Sequence, residues 1–158
     1  MNKISMRRAQ PSDVPALMDL LRQVNEVHFR GRPDLFRRAT KYSADDVSAT
    51  MSDDDRPIFV ATDGSRVLAH IFCQVRDYRP NPLLQDIKTL YIDDVCVSDT
   101  TRGMGIGRIA MDWIFDWARN EGFYNVTLGV WECNPGARAF YEAVGMQVQE
   151  TVMEKILR

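Results

Sequence analysis

Three glycines alternate with other residues in Arg102-Gly103-Met104-Gly105-Ile106-Gly107-Arg108, and an arginine stands at each end of the run. Such a loop is suited to holding an anion. Residues 90–97 ahead of it (Leu90-Tyr91-Ile92-Asp93-Asp94-Val95-Cys96-Val97) read as a strand, and residues 109–120 behind it contain no Gly or Pro to interrupt a helix. The loop therefore falls at a helix start, where unpaired N–H groups and the positive end of the helix dipole converge. Glycines lack Cβ, so a phosphate can come close to the main chain, while Arg102 and Arg108 add mobile positive charge.

Two other phosphate-binding patterns are tested by spacing. A Walker loop requires Gly-Lys-Ser/Thr, which does not follow here. The dinucleotide fingerprint is nearer, since Gly105, Gly107 and Ala110 satisfy G-x-G-x-x-A and Glu132 lies downstream near the end of a plausible strand. That fingerprint, however, needs its first glycine directly after the strand, and residues 98–102 intervene. A dinucleotide-dependent oxidoreductase is thus the runner-up.

A second chemically suggestive segment is Asn134-Pro135-Gly136-Ala137-Arg138-Ala139-Phe140-Tyr141-Glu142-Ala143-Val144-Gly145-Met146. Asn134 and Tyr141 are two helical turns apart and can face one side, with Arg138 between them. A purely structural reading stays open: Asn134 before Pro135 as a helix cap, Phe140 and Val144 as core, Tyr141 as the anchor of a buried hydroxyl.

The elements that must position these groups follow from periodicity. Residues 3–9 predict a first strand, and Ser12 a cap for an amphipathic helix to about His28 with Val14, Leu17, Leu21 and Val24 on one face. Ser43 predicts the cap of a short helix over 43–52. Strands are expected at 58–62 and 67–76, joined by the turn Asp63-Gly64-Ser65, and a Pro-containing loop over 77–84 leads to the strand ending at Val97. The long helix carries Ile106, Ile109, Ala110, Trp113, Ile114 and Trp117 on a broad stripe. A strand at 126–130, a helix at 135–144 and a last strand at 147–156 complete the chain. The 158 residues, 45% hydrophobic, fit one domain, 1–158.

Composition narrows the function further. A net charge of -2 argues against a general nucleic-acid surface, so any anion site is local. Cys73, Cys96 and Cys133 are odd in number, widely spaced and set in apolar strand-like contexts, which predicts buried, reduced thiols and no metal-ligand set. The first eight residues lack the apolar core of a signal peptide, and no segment has membrane-spanning length. A soluble, cytoplasmic protein without a membrane partner is expected.

The glycine loop and the 134–146 segment, in that order, resemble the GNAT superfamily of N-acetyltransferases. The family signature R/Q-x-x-G-x-G/A reads Arg102, Gly105, Gly107 here, and the later pattern reads Asn134, Phe140, Tyr141, Gly145. The likeness spans nearly the whole chain, with its specific part at 91–146. It implies an α/β fold with a mixed, mostly antiparallel central sheet and helices on both faces, in the order β-α-α-β-β-β-α-β-α-β. It also implies a single acetyltransferase domain that moves an acetyl group from acetyl-CoA, as co-substrate, to a primary amine attacking the thioester directly.

For the cofactor, the resemblance implicates the main chain at Val95, Cys96 and Val97, the loop Arg102, Gly103, Met104, Gly105, Ile106, Gly107 and Arg108, and Asn134, Arg138 and Tyr141. The sheet is expected to splay between the strand ending at Val97 and the next one, admitting the pantetheine arm. Tyr141 is implied to stabilise the leaving thiolate and Asp93 to deal with the amine proton. Phe29, Arg32, Phe36, Tyr78, Asp94 and Trp131 are candidates for the acceptor pocket. An alkylammonium near pKa 10.4 and an aspartate near 3.9 differ by about 6.5 units, or roughly 9 kcal/mol. An ordinary aspartate is therefore a poor direct base, and Asp93 needs a raised pKa, a water chain, or a role limited to steering the cation. The acceptor is expected to be a small-molecule or peptide amine, and homodimerisation is left open. A coenzyme A sensor without catalysis is the alternative, and it would have no use for Tyr141 or the acids.

Overall fold

Five strands in chain order form one sheet in the computed structural model, which describes residues 2–158: β1 (Ser5–Arg8), β2 (Ile58–Thr62), β3 (Val67–Asp77), β4 (Lys88–Val97) and β5 (Asn125–Leu128). The first four are antiparallel neighbours; β5 runs parallel to β4. Four helices cover the sheet: α1 (Val14–Gly31), α2 (Ala44–Thr50), α3 (Ile106–Asn120) and α4 (Pro135–Ala143). Leu17, Leu21 and Val47 pack with Ile58, Val60 and Phe72 on one face, whereas Ala110, Met111, Ile114 and Ala118 pack with Phe59, Ile71, Leu90 and Ile92 on the other. Every residue of β2 is buried, which is why Ile-Phe-Val-Ala-Thr shows no polar alternation.

This is the mixed, mostly antiparallel α/β architecture expected from the sequence, and its element order agrees through α4. Local corrections have physical causes. Ser12 does not cap α1; a short 3-10 turn, Pro11–Asp13, precedes it, and Asp13 accepts from the Gln10 N–H at 2.8 Å and pairs with Arg7 at 2.7 Å. Ser43 does cap α2, accepting from the Asp46 N–H. The Asp63 carboxylate accepts from the N–H groups of Ser65 and Arg66 at 2.9 and 2.8 Å, which ties the β2–β3 turn and lowers its pKa to about 2. Helix α3 starts at Ile106, and Ile109 is 42% exposed, so the apolar stripe is narrower than its sequence suggests. Cys73 and Cys96 are buried as expected, but Cys133 is exposed.

The expected last strand is absent. Residues 147–156 are exposed and pair with no strand among the described residues, so β5 ends the sheet with its outer edge open.

Gly107 sits where three elements meet. A Cβ there would lie 3.1 Å from Phe140 of α4 and 3.3 Å from Val97 of β4. Gly107→Ala is expected to destabilise the fold by about 1–3 kcal/mol through overpacking. Urea denaturation should show a lower midpoint with an unchanged slope.

Candidate functional site

The site begins with an interruption of pairing. Parallel pairing of β4 with β5 stops at Ile92↔Leu128, although β4 continues to Val97. Among the described residues, the edge of 93–97 facing away from β3 therefore has no strand partner, and main-chain groups there are available to a ligand. A bulge coincides with this point: Phe72 pairs with Asp94 and Cys73 with Ile92, leaving Asp93 as the extra residue. It resets the alternation, so Leu90, Ile92, Val95 and Val97 all point to the α3 side. Asp94 lies on the opposite face with His70 and Phe72.

At the end of this open stretch the chain enters the glycine loop. Gly103 and Gly105 adopt φ of +81° and +78°, left-handed values that side chains with a Cβ rarely take, and Gly105 forms the N-cap of α3. Among the described residues, the N–H groups of residues 102–108 donate to no protein acceptor. This bare row, with Arg102 beside it, offers the free donors that an anion site requires. Arg108 is turned elsewhere, toward Asp112 at 3.7 Å and the Ala143 carbonyl at 3.5 Å. Burial, with the Asp94 charge, pushes the Cys96 thiol up to about 12, while Arg102 opposes that shift.

On α4 the structural and functional readings separate residue by residue. The Asn134 side chain accepts from the Ala137 N–H at 3.3 Å and so caps the helix. Arg138 is engaged by Glu142 at 3.0 Å and Glu132 at 3.4 Å on the exposed side. Tyr141 instead turns inward against the core with Phe140 and Val144. Burial first, then the charge of Asp94, holds its phenol well above the ordinary pKa. It is therefore a protonated donor at neutral pH.

The two acids of β4 both have partners. The Asp93 carboxylate receives the Tyr42 hydroxyl and lies 3.0 Å from Lys41 Nζ, and its side chain is only 10% exposed. Lys41 also donates to the Asp93 carbonyl at 2.8 Å. Burial and the Asp93 hydrogen bond push Tyr42 up to about 12. Asp94 accepts from Nε2 of the fully buried His70 at 2.6 Å, and Nδ1 of that ring has no partner among the described residues. Both carboxylates are thus held in place by other side chains rather than standing free in the cleft.

Across the cleft, the end of α1 meets the segment leaving β5. Gly31 permits this contact: a Cβ on it would lie 2.6 Å from the Cys133 sulfur. His28 stacks on Phe36 at 5.1 Å, and Phe36 meets Trp131 edge-on at 5.1 Å and 83°. Phe36 and Trp131, both candidates for the acceptor pocket, are therefore in contact, with His28 beside Phe36. Desolvation lowers the His28 pKa, the charge of Asp94 opposes it and that of Lys41 adds to it, so the ring is neutral at pH 7. Nothing in the sequence singled His28 out; only the contact with Phe36 does.

The remaining acceptor candidates fare differently. Phe29, roughly 100° round the helix from His28, lies beneath the Arg38 guanidinium at 4.3 Å. Arg32 is held by Asp34 and Glu154. The structure places Tyr78 at the end of β3. It follows Asp77, which pairs with Lys88 at the far end of β4, roughly 16 Å of strand from Asp93. Tyr42, Lys41 and His70 were not among the sequence candidates, and their role is visible only through their contacts with the two acids.

A mixed sheet opened at its fourth strand, with unpaired glycine-loop amides at the mouth, is an acyl-transfer scaffold. The chain belongs to the Acetyltransferase (GNAT) family, whose profile matches residues 16–146. Its fold closely matches a point mutant of the BH1408 protein from Bacillus halodurans, with a TM-score of 0.91 and 29% identity over 98% of this chain and 99% of that one. An aminoglycoside acetyltransferase, meta-AAC0020, from an uncultured soil metagenomic sample, in complex with sisomicin, shares the fold at a TM-score of 0.73 and 15% identity, covering 98% and 95%. So does an acetyltransferase of Trypanosoma brucei, at 0.70 and 19%, covering 98% and 100%. A comparison with curated protein sequences found no match.

Proposed function

We propose that the protein transfers an acetyl group from acetyl-CoA to a primary amine by direct attack on the thioester. The observation that carries this reading is the row of unsatisfied N–H groups at residues 102–108, continuous with the unpaired edge of β4. Bound there, acetyl-CoA supplies the activated acyl group; the protein supplies donors for its diphosphate and main-chain partners for its arm.

Each wall of the cleft then has a task. Tyr141 donates a hydrogen bond to the sulfur as negative charge develops on it. Neutral His28, on the aromatic wall with Phe36 and Trp131, receives the proton of the attacking amine. Asp94 lies within electrostatic reach of both His28 and Tyr141, so it favours positive charge on the imidazole side as the amine gives up its proton. Asp93, fixed by Tyr42 and Lys41, positions the bulge and the start of the open edge rather than acting as the base. Holding the two reactants together contributes the largest share, about 7–11 kcal/mol for a well-oriented encounter.

Thermal shift with acetyl-CoA, coenzyme A and NAD tests the reading. Acetyl-CoA and coenzyme A at about 100 times their Kd are expected to stabilise the fold by about 2.7 kcal/mol, and NAD by nothing. Stabilisation by NAD alone overturns it. Thiol release across a panel of amines then separates an enzyme from a coenzyme A sensor, since only the enzyme turns over.

A further inference from the structure

Residues 68–73 of β3 are all buried, and His70 is the strongly polar side chain among them. It pairs across with Val60 of β2 and Cys96 of β4, its ring meets Phe72 edge-on at 4.8 Å, and no part of it reaches solvent. Nδ1 finds no hydrogen-bond partner among the described residues, and a buried polar atom left so is destabilising. A leucine would fill this place without that cost. What the imidazole gains lies at its other nitrogen, where Nε2 donates to Asp94 Oδ2 at 2.6 Å. The register sets up the contact: Asp94 precedes Cys96 by two residues and is the diagonal neighbour of His70 on one face of the sheet.

Asp94 is the charge that both walls of the cleft feel. It acts on His28 of α1 and on Tyr141 of α4, helices that cover opposite faces of the sheet. Oδ2 is taken by His70, whereas Oδ1 receives no hydrogen bond among the described residues. A carboxylate on so short a side chain is free to change rotamer unless something holds it. The other titratable groups about it are Asp93, which Tyr42 and Lys41 hold, and the Cys96 thiol. His70 alone fastens Asp94 among the described residues.

We propose that His70 is a positioning residue: from within the core its Nε2–H holds one oxygen of Asp94, and so keeps that carboxylate between His28 and Tyr141. Being fully buried, His70 touches neither acceptor nor acetyl donor and acts through Asp94 alone. Its effect on turnover rests on the acetyl-transfer reading; its hold on Asp94 does not.

One spectrum and two variants test it. In the ligand-free wild type, nitrogen-edited NMR is expected to show a slowly exchanging hydrogen on Nε2 of His70. A hydrogen on Nδ1 alone overturns the proposal whatever the variants do. The chain has two histidines, so in any His70 variant the imidazole signal is that of His28. His70→Gln keeps an amide nitrogen where Nε2 stands, and His70→Met fills the space without a donor. With Met the Asp94 carboxylate moves off while Lys41 stays, so the His28 titration midpoint is expected to fall. The same variant is expected to lose roughly 10- to 100-fold in kcat with coenzyme A affinity retained. Gln is expected to keep the His28 midpoint and to recover most of the rate. A Met variant that keeps either the wild-type midpoint or the wild-type kcat overturns the proposal, as does a Gln variant as impaired as Met. So does a rate loss matched by lost coenzyme A affinity, the mark of a merely structural role. Should the wild type release no thiol with any amine, the acetyl-transfer reading fails, and the spectrum and the His28 midpoint still decide whether His70 holds Asp94.

Discussion

Tyr141→Phe is expected to lower kcat by about 100-fold or more, within the range usual for loss of a positioned proton donor. An unperturbed thiol near pKa 8.5 and a phenol near 10 differ by about 1.5 units, so full proton transfer is already uphill by about 2 kcal/mol. Burial of Tyr141, reinforced by Asp94, raises the phenol further. The hydroxyl therefore acts through a hydrogen bond that strengthens as the carbon–sulfur bond breaks. Loss of such an interaction falls on kcat and kcat/KM alike and leaves ground-state affinity nearly untouched. Steady-state kinetics beside calorimetric titration of coenzyme A check this. Equal rates for the two proteins would remove Tyr141 from the mechanism.

His28→Gln is expected to cost roughly 100-fold in kcat/KM and to erase the acidic limb of the pH profile. Burial disfavours the imidazolium, so its titration midpoint lies below the usual 6.5 despite the opposing charge of Asp94 and in line with that of Lys41. Above that midpoint the ring is neutral and accepts a proton. Below it the ring is already charged and turnover falls. The wild type should therefore plateau at neutral pH and decline with a midpoint under 6.5. The variant should be slow and flat across that window. A glutamine variant that keeps the acidic limb would assign the titration to another group.

Much of this site is legible in the sequence because its chemistry is written locally. Glycines with positive φ between a strand and a helix are a short-range signal, and Gly103 and Gly105 occupy the left-handed region the loop demands. Tyr141 was legible through helical spacing and resemblance together. The partners of the acids were not, because Tyr42 and Lys41 lie some 50 residues from Asp93 and only tertiary folding brings them together. The bulge did leave a trace: apolar positions 90, 92, 95 and 97 skip a beat at 93–94. The position of Tyr78 is not legible for a related reason, since an aromatic near a pocket-forming loop looks the same at either end of a strand. The 147–156 segment has a strand's composition, but composition does not say whose edge it meets.

The extra residue at Asp93 makes β4 a counting device. Every side chain downstream of it owes its layer to an odd number inserted upstream, so deleting a single position between Ile92 and Val95 would exchange the inside and outside of the cleft. Valines would turn to the α1 layer and Cys96 toward α3, with no change in hydrophobicity. Length in this stretch is thus as strictly constrained as residue type, and natural variation should alter its letters far more freely than their number.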